Sequence, residues 1–339
     1  MNINENQKSD NHDNTEHLKC TAAIGIDIGT TTVSVCVIDL ENAEQLEVIS
    51  VPHNSYVKND GFSEQSVTVI IDIAERLINR IYKSYNNIAS IGLTGQMHGI
   101  VYVDREGKAV SDLINWQDKR AILPIKDGMN ACQVIKKLTG EDIAPGYGIA
   151  SHYYDLQKGL VPAKAVGFCS IMDFLGMRLC NTNKAVTHTS VAASFGLFDV
   201  EKKQFKHDKL SLLGIDESFL PRVTTLGEMV GKWNDIPVFV AVGDNQASFL
   251  GSVKNNRDSI LVNIGTGSQI SAAVKHSVSK EGIESRPFIN GSCLVCGSAL
   301  CGGSSYALLE RFFREYASFS GMGEKSQYEI LNGLAEKAY

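Results

Sequence analysis

Ile24-Gly25-Ile26-Asp27-Ile28-Gly29-Thr30-Thr31-Thr32 is the stretch that decides how this chain folds. It reads as a strand running into a tight Gly-Thr turn. The same design returns far downstream as Ile260-Leu261-Val262-Asn263-Ile264-Gly265-Thr266-Gly267-Ser268, with Ile-Gly-Thr identical at the centre. Each copy continues into a second strand, over 33–38 and 270–274, so each turn joins a hairpin. Two glycine- and threonine-rich turns on buried strand ends suit a polyphosphate. Backbone N–H groups in such turns point at anionic oxygens, and small hydroxyls add donors without blocking approach. The pattern predicts nucleotide-dependent phosphoryl-transfer chemistry on two related halves.

At 339 residues the chain has room for two domains and a large core. Apolar content of 43% and charged content of 21% are those of an ordinary globular protein. A net charge of −6 argues against nucleic acid or an anionic membrane as partner. No apolar run approaches the roughly 18 residues that span a bilayer. Residues 1–19 are polar, without the apolar segment of a secretory signal, so 1–20 is expected to be a disordered tail. Eight scattered cysteines then read as reduced thiols of a cytoplasmic protein. Cys293-Leu294-Val295-Cys296 has CxxC spacing, with Cys301 nearby. A zinc or redox role is the alternative, but no second CxxC or His pair follows, and the intervening apolar residues favour a buried strand.

Outward from the first hairpin, Val67, Ile70, Ile71, Ala74, Ile78 and Ile81 recur at helical spacing while Asp72, Glu75, Arg76 and Arg80 face away. Strands are expected over 88–94, 99–104 and 237–242, and helices over 131–138, 170–179 and 304–316. The last helix carries Tyr306, Leu309, Phe312, Phe313 and Tyr316 on one face, which reads as core or interdomain packing. Domains are expected over 21–245 and 246–339. The second is far the shorter, so the chain reads as cut short.

Phosphoryl transfer needs donors and a metal around the phosphates, a base on the accepting hydroxyl and exclusion of water. Asp27 sits in an apolar strand just before the first turn, where an ionised carboxylate needs a positive partner. A hydrated Mg²⁺ on ATP would supply one. The alternative is a turn-forming Asp bonded to its own backbone, although Asn263 in the second copy shows the turn needs no charge. Gln96-Met97-His98 lies between two glycines at a strand end and offers hydrogen bonds to a polyhydroxylated ligand, Met97 being filler; a lone His is as often structural. Asn115-Trp116-Gln117-Asp118-Lys119-Arg120 sets one indole among planar polar groups, as sugar sites do; a solvated turn on a buried Trp anchor is the plainer reading. Asp244 precedes an apparent helix start at Asn245, as an N-cap or as the base that takes the hydroxyl proton.

The segments GIDIGTTTVSV, GFSEQ, GLTGQMHG, INWQDKR, VAASFGLFDV, VGDNQASFLGS and LVNIGTGSQIS follow one another from residue 23 to about 273. In that order the chain resembles the FGGY carbohydrate kinases, of the actin-like ATPase superfamily with ribonuclease-H-like domains. GQMHG is similar to xylulokinases, whereas WQD-R and GDNQAS are similar to sedoheptulokinases. The resemblance implies an α/β fold of duplicated domains, the second incomplete, and transfer from Mg-ATP to the terminal hydroxyl of a ketose. Sedoheptulose is expected first and xylulose second. It implies that Asp27 holds the magnesium water shell and that Gly29, Thr30, Thr31 and Thr32 face phosphates, with Gly265, Thr266 and Gly267 as the second phosphate turn. Gln96, Met97, His98, Trp116, Asp118, Arg120 and Asn245 would line the ketose pocket, and Asp244 would be the base. Domain closure on the sugar would favour transfer over hydrolysis. Partners are then a small ketose and at most a second copy in a homodimer. Where the family carries Asp in a T-D-x-S-x-A-S stretch, this chain has Thr187-His188-Thr189-Ser190-Val191-Ala192-Ala193. The family's glycine-rich adenosine segment is not found after Gly303, so a non-catalytic sugar-binding remnant is the rival reading. A nucleotide-switch protein is disfavoured, since it would need neither GQMHG nor WQDKR.

Overall fold

A computed structural model describes residues 21–58, 61–225, 227–265, 267–278, 280–299 and 302–338. The expected tail over 1–20, Cys20, Thr266 and Cys301 lie outside these. The described residues form two compact units, one running to Ala247 and one beginning at Ser248. No helix among them is long and apolar enough to cross a membrane.

The first unit is organised by the opening hairpin. Strand β1 (Ala22–Ile28) pairs antiparallel with β2 (Thr32–Asp39), which pairs with β3 (Gln45–Pro52). Helix α1 (Val67–Ser84) follows, capped by the Ser66 hydroxyl. Its predicted stripe is buried together with Ile73 and Leu77, each Val, Ile or Leu among them contributing about 1.5–3 kcal/mol. Strand β4 (Ile88–Gly95) lies parallel to β1, with Asp27 opposite Thr94 and Ile28 opposite Gly95. Later come α2 (Gly148–Lys158), α3 (Ile171–Cys180) and the short α4 (Thr189–Ser194). The expected strand 237–242 is broken: β5 (Met229–Trp233) pairs with β6 (Ile236–Phe239), and β7 (Val242–Gly243) follows after Val240-Ala241. Both β6 and β7 pair parallel with β4, giving the order β5-β6-β4-β1-β2-β3. Helix α5 (Asp244–Ser252) starts directly from β7.

One sheet face, carrying Ile24, Ile26, Val35, Ile91 and Leu93, is buried under α1 and α3. The other is made of small side chains. Gly25, Ser34, Cys36, Gly92 and Thr94 floor a shallow hollow of about 330 Å³, with Asp27 at one end beside Val242 and Ala247.

The second unit holds an antiparallel sheet of β8 (Ile260–Ile264), β9 (Ser268–Val274), β10 (Glu284–Pro287) and β11 (Cys293–Ala299), in the order β8-β9-β11-β10. Its first hairpin repeats the β1–β2 design, and Gly265 N–H closes the turn on the Gly267 carbonyl at 2.9 Å. Cys293 and Cys296 are both buried on β11. Three residues apart on a strand, they point to opposite faces and cannot form a paired site. Helices α6 (Gly303–Phe319) and α7 (Tyr328–Lys337) close the chain. Here the stripe expectation is corrected. Tyr306, Leu309, Phe312, Phe313 and Tyr316 are exposed, Phe312 and Tyr316 by 62%. The small core of Phe249, Phe288, Leu294 and Cys296 includes no residue of α6.

Candidate active site

The register places the chemistry. Asp27, Thr94 and Val242 lie in one row across three parallel neighbours, and Ile28, Gly95 and Gly243 in the next. Asp27 and Asp244 therefore leave the carboxyl ends of strands two apart, roughly 10 Å at the usual spacing. Open α/β sheets bind ligands at such ends.

The Gly29-Thr30-Thr31 turn after β1 is held by its carbonyls. Gln96 Nε2 and His53 Nε2 each lie 3.2 Å from the Gly29 carbonyl, Gln65 Nε2 donates to that of Thr30 at 2.8 Å, and His53 N–H donates to that of Thr31 at 3.1 Å. Ser55 steadies the His53 ring from its other nitrogen at 2.7 Å. With three carbonyls drawn into the protein, the N–H groups of Thr30 and Thr31 meet no acceptor among the described residues. That is the arrangement of an anion-binding nest. The Asp27 carboxylate stands exposed beside it with no hydrogen bond or ion pair among the described residues, and partial burial lifts its pKa above the ordinary value. A partly desolvated carboxylate with no cation beside it among the described residues suits one that arrives with its own waters and phosphates. No cluster of three or more His, Cys, Asp or Glu that could hold a metal forms among the described residues.

A hollow of about 520 Å³ lies next to the turn, with His98, Trp116, Asp118 and Tyr147 on its walls. Trp116 is 46% exposed and donates its indole N–H to Thr30 Oγ1 at 3.0 Å. The indole face is thus fixed by the phosphate turn itself. Behind it runs Gly146, where a Cβ would fall 1.8 Å from the Trp116 carbonyl, so only glycine fits. His98 has φ +73° and stacks on Tyr147 with ring centroids 4.5 Å apart. Its Nδ1 lies 2.8 Å from the Ser194 carbonyl. A carbonyl only accepts, so Nδ1 carries a proton there.

The expected ketose residues do not all meet there. Gln96, Met97 and His98 take three directions from one corner. Gln96 is buried under the phosphate turn, bonded to Gly29 and to Gln65 at 3.0 Å. Met97 packs against Gly243, where an added Cβ would lie 2.5 Å from its sulfur, and Asn245 Nδ2 approaches that sulfur at 3.8 Å. Only His98 reaches the hollow. Asp118 is 1% exposed, its oxygens taken by Ser63 N–H, Arg120 N–H and the Arg120 guanidinium. Arg120 lies away from the hollow, 3% exposed, paired with Asp118, Asp155 and Glu64 and stacked 4.6 Å from Phe62. Burial works against its charge, but the carboxylates outweigh this and raise its pKa. It borders a separate hollow of about 420 Å³. A guanidinium flanked by three carboxylates is drawn inward rather than toward a neutral sugar.

Asp244 opens α5 with its Oδ1 accepting from Asn245 N–H at 2.7 Å and Asn245 Nδ2 at 2.9 Å. Asn245 thus orients the carboxylate as well as touching Met97.

Residues 22–251 match the profile described as "FGGY family of carbohydrate kinases, N-terminal domain". The chain belongs to the FGGY family of carbohydrate kinases. This FGGY chain is 31% identical over 267 residues to glycerol kinase 2 of Sulfolobus acidocaldarius, covering 73% of the chain and 52% of that protein. It is 27% identical to the sedoheptulokinase of Mus musculus over 74% of the chain and 59% of the relative. It is also 25% identical to the xylulose kinase of Staphylococcus xylosus, over 93% and 69%. The chain thus spans about half to two thirds of the length of these curated relatives. In fold it superposes on gluconate kinase from Lactobacillus acidophilus with a TM-score of 0.73 at 20% identity, over 86% of the chain and 62% of that structure. The fold is accordingly the actin-like, ribonuclease-H-like α/β fold.

Sequence reasoning missed His53, Gln65 and Tyr147. Gln65 closes the GFSEQ segment and was in view without a role. Tyr147 follows Pro145-Gly146, a turn signal that marks a loop but not which site it lines.

Proposed function

We propose that this chain carries the acceptor-sugar and phosphate machinery of an ATP-dependent ketose kinase. The observation that supports this most is the hydrogen bond from Trp116 to Thr30, which joins a sugar-sized hollow to an anion-binding turn. The ketose would lie in the 520 Å³ hollow with an apolar face on Trp116 and its hydroxyls toward the wall formed by His98. Sedoheptulose is placed first and xylulose second on the WQD-R and GDNQAS segments; the relatives named above include a glycerol kinase beside both ketose kinases.

The N–H groups and hydroxyls of Thr30 and Thr31 would receive phosphate oxygens of ATP, with Thr32 closing the turn by accepting from Gly29 N–H. Asp27 would hold magnesium through water, and that ion would neutralise charge on the transferring phosphoryl group. Asp244 would take the proton of the terminal hydroxyl as its oxygen bonds to the γ-phosphorus and the bond from γ-phosphorus to bridging oxygen breaks, releasing ADP. Gly265, Thr266 and Gly267 are assigned to the second phosphate contact on the strength of the repeat.

The test is ADP release with sedoheptulose, xylulose and glycerol in turn, alongside ketose titration of tryptophan fluorescence. Ketose-dependent release, strongest with the seven-carbon sugar, is expected. Binding without release from any acceptor would favour the sugar-binding reading instead, and no binding of any of the three would overturn both.

A further inference from the structure

His188 ends the strand Val186–His188 and caps α4 from a buried position. Its ring is held at both nitrogens. Nε2 lies 3.3 Å from the Thr225 carbonyl, while Nδ1 lies 3.1 Å from Ser190 N and 2.8 Å from Ser190 Oγ. Since a carbonyl only accepts, Nε2 bears the hydrogen and Nδ1 the lone pair. Ser190 N–H therefore donates into Nδ1. The Ser190 oxygen accepts Gly243 N–H at 3.1 Å, and its own proton goes to Nδ1. Each bond in the chain from Thr225 through His188 and Ser190 to Gly243 thus has a fixed direction. Burial lowers the imidazole pKa, opposed by the Thr225 carbonyl, and keeps the ring in this neutral form.

Gly243 is the residue before Asp244, and no side chain can steady it, because a Cβ there would lie 2.5 Å from both Met97 Sδ and Gln246 Oε1. Its position depends on what grips its backbone. We propose that His188 is a positioning residue for Asp244, anchoring the Gly243 amide through the Ser190 hydroxyl. This rests on the reading of Asp244 as base and adds how that base is aimed. A neutral imidazole accepts both Ser190 donors without setting a second negative charge behind Asp244, as a carboxylate would. Misplacing a catalytic group by about 1 Å can cost a hundredfold in rate.

Amide exchange at Gly243 in the 339-residue chain, followed by NMR, tests the anchor without turnover. His188→Ala and Ser190→Ala should each speed exchange at Gly243 about five- to tenfold, the size of one lost cap or hydrogen bond. The double variant should lose no more than either alone, because both cut one chain of contacts. His188→Asn, whose amide oxygen can accept as Nδ1 does, should restore protection. Exchange in α1 should not change. Unchanged protection at Gly243 in a folded His188→Ala, additive losses in the double variant, or equal acceleration in α1 would each overturn the proposal, as would ring nitrogen resonances showing Nδ1 protonated. ADP release is recorded in parallel: its absence from the unmodified chain counts against the kinase reading, while exchange at Gly243 still decides the anchor.

Discussion

The indole N–H of Trp116 donates to the hydroxyl oxygen of Thr30 at 3.0 Å. Residues 86 positions apart thus tie the hollow walled by Trp116 to the Gly-Thr turn after β1 within one unit. Thr30 accepts through its oxygen and keeps its proton to give, so one side chain can orient the indole and still face a phosphate.

Trp116→Phe keeps the stacking surface and removes the donor. Ketose binding measured by calorimetry should weaken about two- to tenfold, the worth of one hydrogen bond, and Thr30→Val should match it. The double variant should be no weaker than either single one. Additive losses would mean the two groups act independently.

Gly146→Ala drives a methyl group into the Trp116 carbonyl. The chain must shift there, so we expect a lower melting temperature and at least a tenfold loss of ketose affinity, overpacking costing about 1–3 kcal/mol. An unchanged affinity would show that the wall of the hollow is pliable.

Arg120→Ala leaves Asp118, Asp155 and Glu64 facing one another in a buried space. Loss of stability by about 3–5 kcal/mol is expected in denaturant titrations. A stable Arg120→Ala variant that fails only in sugar binding would return Arg120 to the ligand's side.

Asp173 is fully buried at the start of α3, where burial pushes its carboxyl up to about 7 from 3.8. A carboxyl with a raised folded pKa binds its proton more tightly when folded. Its contribution to stability is full below pH 3.8, falls as pH rises toward 7 and is flat above. His152 works the other way: burial lowers it to about 4, so stability is lost as pH falls from 6.5 to 4. Asp173→Asn should therefore raise stability at pH 8 by about 1–3 kcal/mol and converge on the parent near pH 4. Equal gains at both pH values would contradict the buried-carboxyl account.

The hairpin of β1 and β2, its repeat in β8 and β9, and the stripe of α1 were legible because each is a periodic pattern that burial enforces. The corner at Gln96, Met97 and His98 was not. Alternation ends at Gly95, where an added Cβ would fall 2.4 Å from the Ile28 carbonyl oxygen, and His98 has a left-handed φ. Once periodicity stops, residue type no longer tells direction, so three neighbours meant for one pocket serve three places. Arg120 misled for a related reason: its charge is visible in sequence, whereas Asp155 and Glu64 reach it only through the fold. The break at Val240-Ala241 in an apolar run, and the exposed face of α6, likewise depend on what packs alongside.

The most direct measurement is ketose-dependent ADP release by Asp244→Ala beside ketose binding by the same variant. Transfer should fall by about 10²–10⁴-fold, the contribution of a positioned base, with affinity for the sugar retained. A variant that binds sugar and turns over at the parent rate would contradict the account.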